Sequence, residues 1–465
     1  MGRHPGDARR DHAPAPLVLL QHLRDLPLVT DGRRPSPRPH GPAAGIHPPA
    51  RVRARRAVGA RPALRRLHLR PPRPRVAIKA AHDWLVPRVS VPGGLGGIFP
   101  AMANGVLALG IFGYPEDHPL IAGQLKELEA LGVEEADRFH VQPCASPVWD
   151  TALAVNALVD SDFPADHPTL ARAVDWLLEK QVLEPGDWQV KRPGVAPGGW
   201  AFQFDNPFYP DADDTAMVLM GLRQVAYPDP ARVDQAAARG LEWLRGMQGG
   251  DGGWGSFDAD QTRLLLNNIP FADHGALLDP STEDLTARCV ECFGRLGYAA
   301  GRPAVERGLA HLRRTQTSEG AWYGRWGVNF LYGTWSVLRA LEAAEIPRDD
   351  PMIRRATAWL LGRQNPDGGW GESCDSYPVP ERAGRGPSTP SQTAWALLGL
   401  LAAGEDGPAA LHGVEYLLTA QRKDGSWEDS YWNGTGFPRV FYLKYHLYAR
   451  YFPLWALGVW RRHRR

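Results

Sequence analysis

The chain has 465 residues, 43% hydrophobic and 22% charged, which is room for two or three domains and enough apolar surface for a sizeable core. A mean hydropathy of -0.34 argues against a polytopic membrane protein, and four cysteines in this length exclude a disulfide scaffold. The net charge of +2 joins two unlike parts: residues 1–75 carry 17 Arg, 14 Pro, no Lys, no aromatic and four acids, which leaves 36 basic and 47 acidic residues in 76–465, a net of -11.

Residues 1–79 read as a disordered Arg/Pro-rich tail, because a segment without aromatics or periodicity cannot build a core. Its Arg/Pro/Ala/Gly/His vocabulary without Lys fits a GC-rich gene read out of frame better than a nucleic-acid arm, so no nucleic-acid partner is expected. No apolar run and cleavage site follow Arg9-Arg10, so no signal peptide is expected. From Ser90 to Pro115 the chain has no charge and mimics a membrane span in length. Pro92, Pro100 and the glycines interrupt it, which predicts a Gly93–Gly97 loop and then a short buried helix over Met102–Phe112.

The body repeats itself. Gln-x-x-x-Gly-x-Trp occurs at Gln248/Gly252/Trp254, Gln316/Gly320/Trp322, Gln364/Gly368/Trp370 and Gln421/Gly425/Trp427, with a looser copy at Gln181/Gly186/Trp188. The variable spacing of the Trp residues fits one helical hairpin per repeat. Each tight copy follows an amphipathic segment: Val233–Met247, Ala304–Thr315, Pro351–Arg363 or Ala409–Ala420. The Gly is expected to stop the helix, and the Gln amide to bond the freed carbonyls against the indole. A second repeat, Asp150-Thr151-Ala152, Asp214-Thr215-Ala216, Leu285-Thr286-Ala287 and Gln392-Thr393-Ala394, with Thr334 as a candidate fifth, is expected to cap the alternate helices. Segments such as Ala216–Tyr227 and Ala394–Ala403 are apolar nearly all round and should be buried. Buried inner helices alternating with amphipathic outer ones predict an all-α α/α toroid, whose inner N-termini converge at one end of a cavity.

Asp211, Asp213 and Asp214 stand at the start of one such inner helix. A lone Asp there would be a cap. Three acids in four residues repel one another, and crowding keeps at least one protonated at neutral pH. Helix dipoles stabilise its conjugate base, so the proton is acidic. Metal binding is the rival reading, since clustered Asp suits Mg²⁺. Aromatics crowd the rest of the body: Trp149, Phe202, Phe204, Phe257, Trp326, Tyr332, Phe437, Phe441, Tyr445 and Tyr448. Phe441, Tyr445 and Tyr448 are spaced for one helix stripe. An acid at one end and π faces along a wall suit proton-initiated polyene cyclisation, each ring stabilising a cation by about 0.5–2 kcal/mol.

These residues resemble the squalene–hopene cyclase family of terpene cyclases. The resemblance runs from about Ala80 to Arg465. Besides the repeats and Asp-Ala-Asp-Asp-Thr-Ala, it rests on Ser146-Pro147-Val148-Trp149-Asp150-Thr151, Gly199–Asn206, Gly324–Asn329 and Gly434–Pro438. Oxidosqualene cyclases, with a different acidic motif, are less similar. The resemblance implies Asp213 as proton donor, tuned by Asp211 and Asp214, and Asp284 as a carboxylate that orders the acid site. It implies Trp149, Phe202, Phe257, Trp326, Phe437, Phe441, Tyr445 and Tyr448 as wall aromatics and Phe271 as a channel constriction. It further implies squalene as substrate, hopene or hopanol as product, no metal or cofactor, a homodimer, and monotopic attachment to the cytoplasmic side of the inner membrane.

Three departures stand out. Arg288 occupies the place of a family His beside the acid. Phe257 replaces a Tyr. The N-terminal stretch is much shorter than in the family. Family architecture makes residues 146–465 the catalytic α/α barrel and residues 80–145 the remnant of a second toroid, so an inactive fragment that only binds an apolar ligand or a partner is the rival reading. Other readings are weaker. Cys289-x-x-Cys292 lacks a second pair and reads as core. Cys374-Asp375 imitates the zinc site of the toroidal prenyltransferases without a placed His. Glu372 and Glu428 could pair as glycosidase acids.

Overall fold

The computed structural model describes residues 74–261, 263, 278–298 and 301–465. Most of the N-terminal tail, and Phe271, lie outside the described residues. The N-terminal helices are α1 (Pro74–Val89), α2 (Phe99–Ile111) and α3 (Pro119–Glu129), followed by a short antiparallel pair, β1 (Gly132–Glu134) and β2 (Phe139–Val141). They share a small core of Leu85, Val89, Leu95, Met102, Leu109 and Ile121. The Gly93–Gly97 loop has four glycines at positive φ, as a chain reversing this tightly requires. The helix that follows is not wholly buried: Met102, Gly105 and Leu109 face inward, whereas Leu107 and Ile111 are exposed. No described helix is long and apolar enough to cross a membrane.

The body alternates as the patterning predicts. In chain order come α4 (Pro147–Asp160), α5 (Pro168–Glu179), α6 (Ala212–Gln224), α7 (Pro230–Gly246), α8 (Glu283–Arg295), α9 (Arg302–Thr315), α10 (Phe330–Ala343), α11 (Pro351–Leu361), α12 (Pro390–Ala402) and α13 (Pro408–Ala420). A hairpin of β3 (Gly434–Phe437) and β4 (Phe441–Leu443) then leads to α14 (Tyr448–His463). The helices α4, α6, α8, α10, α12 and α14 each pack on the next, and α14 returns to α4, closing an inner ring. Outside it, α5 lies on α4, α7 on α6, α9 on α8, α11 between α10 and α12, and α13 on α12. The all-α toroid expected from the repeats is therefore present, with six inner and five outer helices among the described residues. Burial divides the two classes. Every residue of α12 is buried, whereas α7 buries only the stripe Val233, Ala236, Ala237, Gly240, Leu241, Trp243 and Leu244.

The staples differ from expectation in four ways. First, the indole N–H, not the Gln amide, reaches the last turn of the helix: Trp254, Trp322, Trp370 and Trp427 donate to the carbonyls of Leu244, Leu312, Leu360 and Leu417. The Gln amide instead ties its own loop to the next outer helix, as Gln248 does through the Gly252 and Ala304 carbonyls. Second, the repeat Gly does not end the helix; the C-cap of α7 is Met247. Gly252 has φ +87°, and a Cβ there would lie 2.6 Å from the Arg307 carbonyl oxygen on the next outer helix. Third, Thr215, Thr286, Thr334 and Thr393 do not cap. They sit inside the first turn of their helices and accept from the backbone N–H of Trp200, Trp254, Trp322 and Trp370. Fourth, the partner of Gln181 is Trp200, not Trp188. Gln181 donates to the Gly198 and Ala236 carbonyls, and Trp200 Nε1 donates to Leu177. An insertion separates the halves of this copy, and Trp188 packs edge-on against Trp243 instead.

Candidate active site

The start of α6 is held from both sides. Asp211 N donates to the Trp200 carbonyl and Ala212 N to the Ser256 carbonyl, each at 2.8 Å. Asp211 is the N-cap and accepts from Asp214 N at 2.8 Å. Asp213 points across to α8, where Arg288 Nε donates to its Oδ1 at 3.1 Å. Asp213 is the most open of the three, with 13% of its side chain exposed.

Burial, more than mutual repulsion, raises the proton affinity of these carboxyls. It pushes Asp211 up to about 8 and Asp214 well above the usual carboxylate range, the latter reinforced by the charges of Asp211 and Asp213. Asp213 rises only to about 6: burial raises it, Arg288 opposes, and Asp284 and Glu291 add to the rise. Of the three, Asp213 is thus the strongest acid, because a guanidinium stabilises its conjugate base. The three carboxylates do not converge on a common point. Among the described residues no group of three His, Cys, Asp or Glu side chains is placed to hold one metal ion.

Asp284, one turn before Arg288 on α8, accepts from the backbone N–H of Arg325 at 2.8 Å and Trp326 at 3.0 Å. It fixes the loop that carries Trp326, whose ring meets Phe257 edge-on at 6.1 Å. The hairpin strand β3 runs beside that loop through Thr435 N, which donates to the Trp326 carbonyl, and it also carries the half-buried Phe437. Arg288 also reaches Tyr332 Oη at 3.3 Å and lies over the Trp149 ring at 6.0 Å. Trp149 Nε1 donates to Tyr448 Oη at 2.9 Å, Tyr448 stacks on Tyr445 at 4.5 Å, and Tyr445 meets Phe202 edge-on at 6.3 Å. An acid and a chain of π faces thus adjoin through one arginine.

One pattern read from spacing fails. Phe441, Tyr445 and Tyr448 do not share a helix face: Phe441 lies in β4, Tyr445 in the link, and only Tyr448 in α14. Pro438 and Arg439, the latter at φ +72°, turn the chain, and Asn433 clamps Tyr445 through its N–H and carbonyl, so a continuous helix cannot form. Glu372 and Glu428 are not a catalytic pair. Glu372 is buried and accepts from Leu331 N at the start of α10, while Glu428 is exposed and paired with Arg422. Cys289 and Cys292 are buried in α8, as core cysteines should be.

Two groups escaped the sequence reading. Glu291, one turn after Arg288, was legible only as a charge inside a helix otherwise expected to be buried. Trp335 lies under the Arg288 guanidinium at 4.9 Å; nothing in its local sequence distinguishes it from core. At the opposite end of the ring, where the inner helices finish, a pocket of about 530 Å³ is lined by Asp160, Arg295, Arg339, Glu342, Arg462 and His463 among others. Its walls mix these charged groups with Ala343, Ala402 and Val459, and it is remote from the start of α6.

Residues 145–462 match the squalene-hopene cyclase C-terminal domain, and residues 52–137 match the squalene-hopene cyclase N-terminal domain, a match that begins upstream of Ala80. The chain is 50% identical over 390 residues to the squalene–hopene cyclase of Bradyrhizobium diazoefficiens, covering 83% of this chain and 59% of that protein. It is 47% identical over 389 residues to the squalene–hopene cyclase of Alicyclobacillus acidocaldarius, covering 83% and 62%. This chain therefore spans only about 60% of the length of the curated relatives it matches. Among solved structures, ent-copalyl diphosphate synthase from Streptomyces platensis aligns with a TM-score of 0.48 at 20% identity, over 74% of this chain and 55% of that one.

Proposed function

This chain belongs to the squalene–hopene cyclase family, and from that premise we propose that it cyclises squalene to a pentacyclic triterpene, hopene or hopanol, by proton initiation. The observation that carries the reading is the Asp213–Arg288 contact at 3.1 Å, beside a series of aromatic faces. In this reading Asp213 gives its proton to the terminal alkene, and Arg288 stabilises the carboxylate left behind. Asp211 and Asp214 remain neutral and add no charge that would hold the proton back. Phe202, Phe257, Trp326, Phe437, Tyr445 and Tyr448 offer π faces to the cationic centres as rings close, and Tyr332 and Trp149 order the arginine. Loss of a proton ends the sequence as an isomer; capture of water ends it as an alcohol. We further propose Phe441 and Phe271 as wall residues on the family resemblance, residues 146–465 as the catalytic barrel and 80–145 as part of a second toroid. Docking as a homodimer on the cytoplasmic face of the inner membrane completes the reading, and the exposed Leu411, Leu418, Tyr431 and Trp432 are consistent with an apolar contact surface.

Incubating the purified chain with squalene across a pH series, with products resolved by gas chromatography, tests this. Conversion should be highest below about pH 6 and fall as Asp213 ionises. Stability changes with pH in the same direction. These carboxyls titrate higher in the folded than in the unfolded chain, so the stability they contribute is present in acid and is lost as pH rises through about 6 for Asp213 and about 8 for Asp211. The fold should therefore already be weakening between about pH 4 and 6, below the point where activity falls. A rate that rises through pH 6, or one abolished by EDTA, would overturn the reading. Absence of product at every pH would favour a protein that only binds apolar ligands.

Trp326→Leu tests the wall. Removing one π face should slow the step it stabilises by roughly 3- to 30-fold, the equivalent of about 0.5–2 kcal/mol. Cations halted before that ring should lose protons early, so partly cyclised by-products should appear. Unchanged product ratios would make Trp326 a scaffold residue.

A further inference from the structure

Arg288 is shared between two carboxylates. Its Nε faces Asp213, and its Nη1, which has no hydrogen-bond partner among the described residues, lies 3.6 Å from Glu291 Oε2. Glu291 is itself the meeting point of three guanidinium groups: Arg288, Arg295 at 2.8 Å and Arg339 at 3.1 Å. Arg339 continues to Asp160 at 3.8 Å, and Asp160 is held by Arg462 at 2.7 Å and Trp455 Nε1 at 2.7 Å. A row of alternating charges thus runs inside the ring from the acid to the polar pocket at the far end. The Arg288 guanidinium lies 4.9 Å from the Trp335 ring centre and that of Arg339 5.4 Å from the Trp455 ring centre.

Stability does not explain this row. Buried ion pairs often contribute nothing net relative to apolar side chains of the same size, because desolvation offsets their attraction. Their geometry suggests another use. An unshared Arg288 would direct its whole charge at Asp213 and strip the acid of its proton. An unanchored one would not keep Nε on the carboxyl.

We propose that Glu291 is a positioning residue for the acid: it anchors Arg288 with Nε toward Asp213 and offsets part of the guanidinium charge, so that Asp213 keeps a transferable proton. The inference deepens the reading of Asp213 as the proton donor and rests on it. Other groups around the acid cluster are Asp211 and Asp214 on α6, Asp150 on α4, Asp284 and Cys289 on α8, Tyr332 on α10, and Tyr445 before α14. The charges of α7 are engaged elsewhere, Asp234 with Arg223 and Glu242 with Arg245. Around Glu291 stand Arg288, Cys292 and Arg295 on α8, Asp160 on α4, Arg339 and Glu342 on α10, and Arg462 on α14; His311 on α9 pairs with Asp251.

The test is Glu291→Gln in the whole chain, with two readouts. The first is the protonation midpoint of the Asp213 carboxyl, taken from its infrared band as the difference from Asp213→Asn. The second is the pH profile of squalene conversion. Loss of the Glu291 charge should lower the midpoint by about one pH unit and carry the fall in conversion down with it. Glu291→Asp, which keeps the charge, should restore most of the original midpoint. An unchanged midpoint with a uniform loss at all pH values would make Glu291 scaffold and overturn the proposal. If Glu291→Gln does not fold, Glu291→Gln/Arg339→Gln removes opposite charges together and should give a smaller shift of the same sign; no shift there also overturns it. The infrared titration needs no turnover, so a wild-type chain that makes no product would refute the cyclase reading while still deciding this one.

Discussion

Asp213→Asn is expected to abolish squalene conversion while leaving the fold intact. The amide cannot donate the initiating proton, and loss of a positioned general acid costs about 10²–10⁴-fold even where a weaker route survives. No other group on α6 can replace it directly: Asp211 is occupied as the N-cap, accepting from Asp214 N, and both it and Asp214 hold their protons more tightly than Asp213 does. The fold should tolerate the change because the amide oxygen can still accept from Arg288 Nε, and because the carboxyl it replaces is raised by burial and adds no stability when ionised. At pH above about 6 the variant should melt no lower than the wild type, since the unfavourable buried charge is gone. Gas chromatography of the products, with thermal melts of the same samples, checks both halves. Undiminished cyclised product from a folded variant would remove Asp213 from the mechanism.

The second large effect is on stability. Trp322→Ala should destabilise the chain by about 3–5 kcal/mol, as truncating a wholly buried indole does. Trp322 is fully buried, its Nε1 donates to the Leu312 carbonyl at 2.8 Å, and its backbone N–H is bound by Thr334 Oγ1 at 3.1 Å. The substitution opens a cavity and removes the indole hydrogen bond to the last turn of α9. A melting temperature lowered by several degrees, with an unchanged product pattern from the folded fraction, is the expected result. Trp326, four positions later, should show the reverse. A Trp322 variant with wild-type stability would mean that these turns do not hold the repeats together.

Periodicity and composition determined a good deal of this protein by themselves. Helices lacking a polar face, such as α12, have nowhere to go but inside, and striped ones such as α7 must lie over them, so the layered ring follows from hydrophobic pattern alone. Three acids at the start of a buried helix marked a candidate site for a similar reason: local sequence showed charge where burial was required. Partners distant in sequence could not be read this way. That the Gln amides reach the next outer helix, that Gln181 is completed by Trp200 across an insertion, and that a hairpin interrupts the Phe441–Tyr448 stripe all depend on which segments meet in space. The order of acid strengths was decided there too. Asp211, Asp213 and Asp214 are chemically identical, and only the approach of Arg288 from α8, itself braced by Glu291, makes Asp213 the most acidic of them. A carboxyl's affinity for its proton is set by the solvent it has lost and the charges it faces, and both are properties of the packed ring.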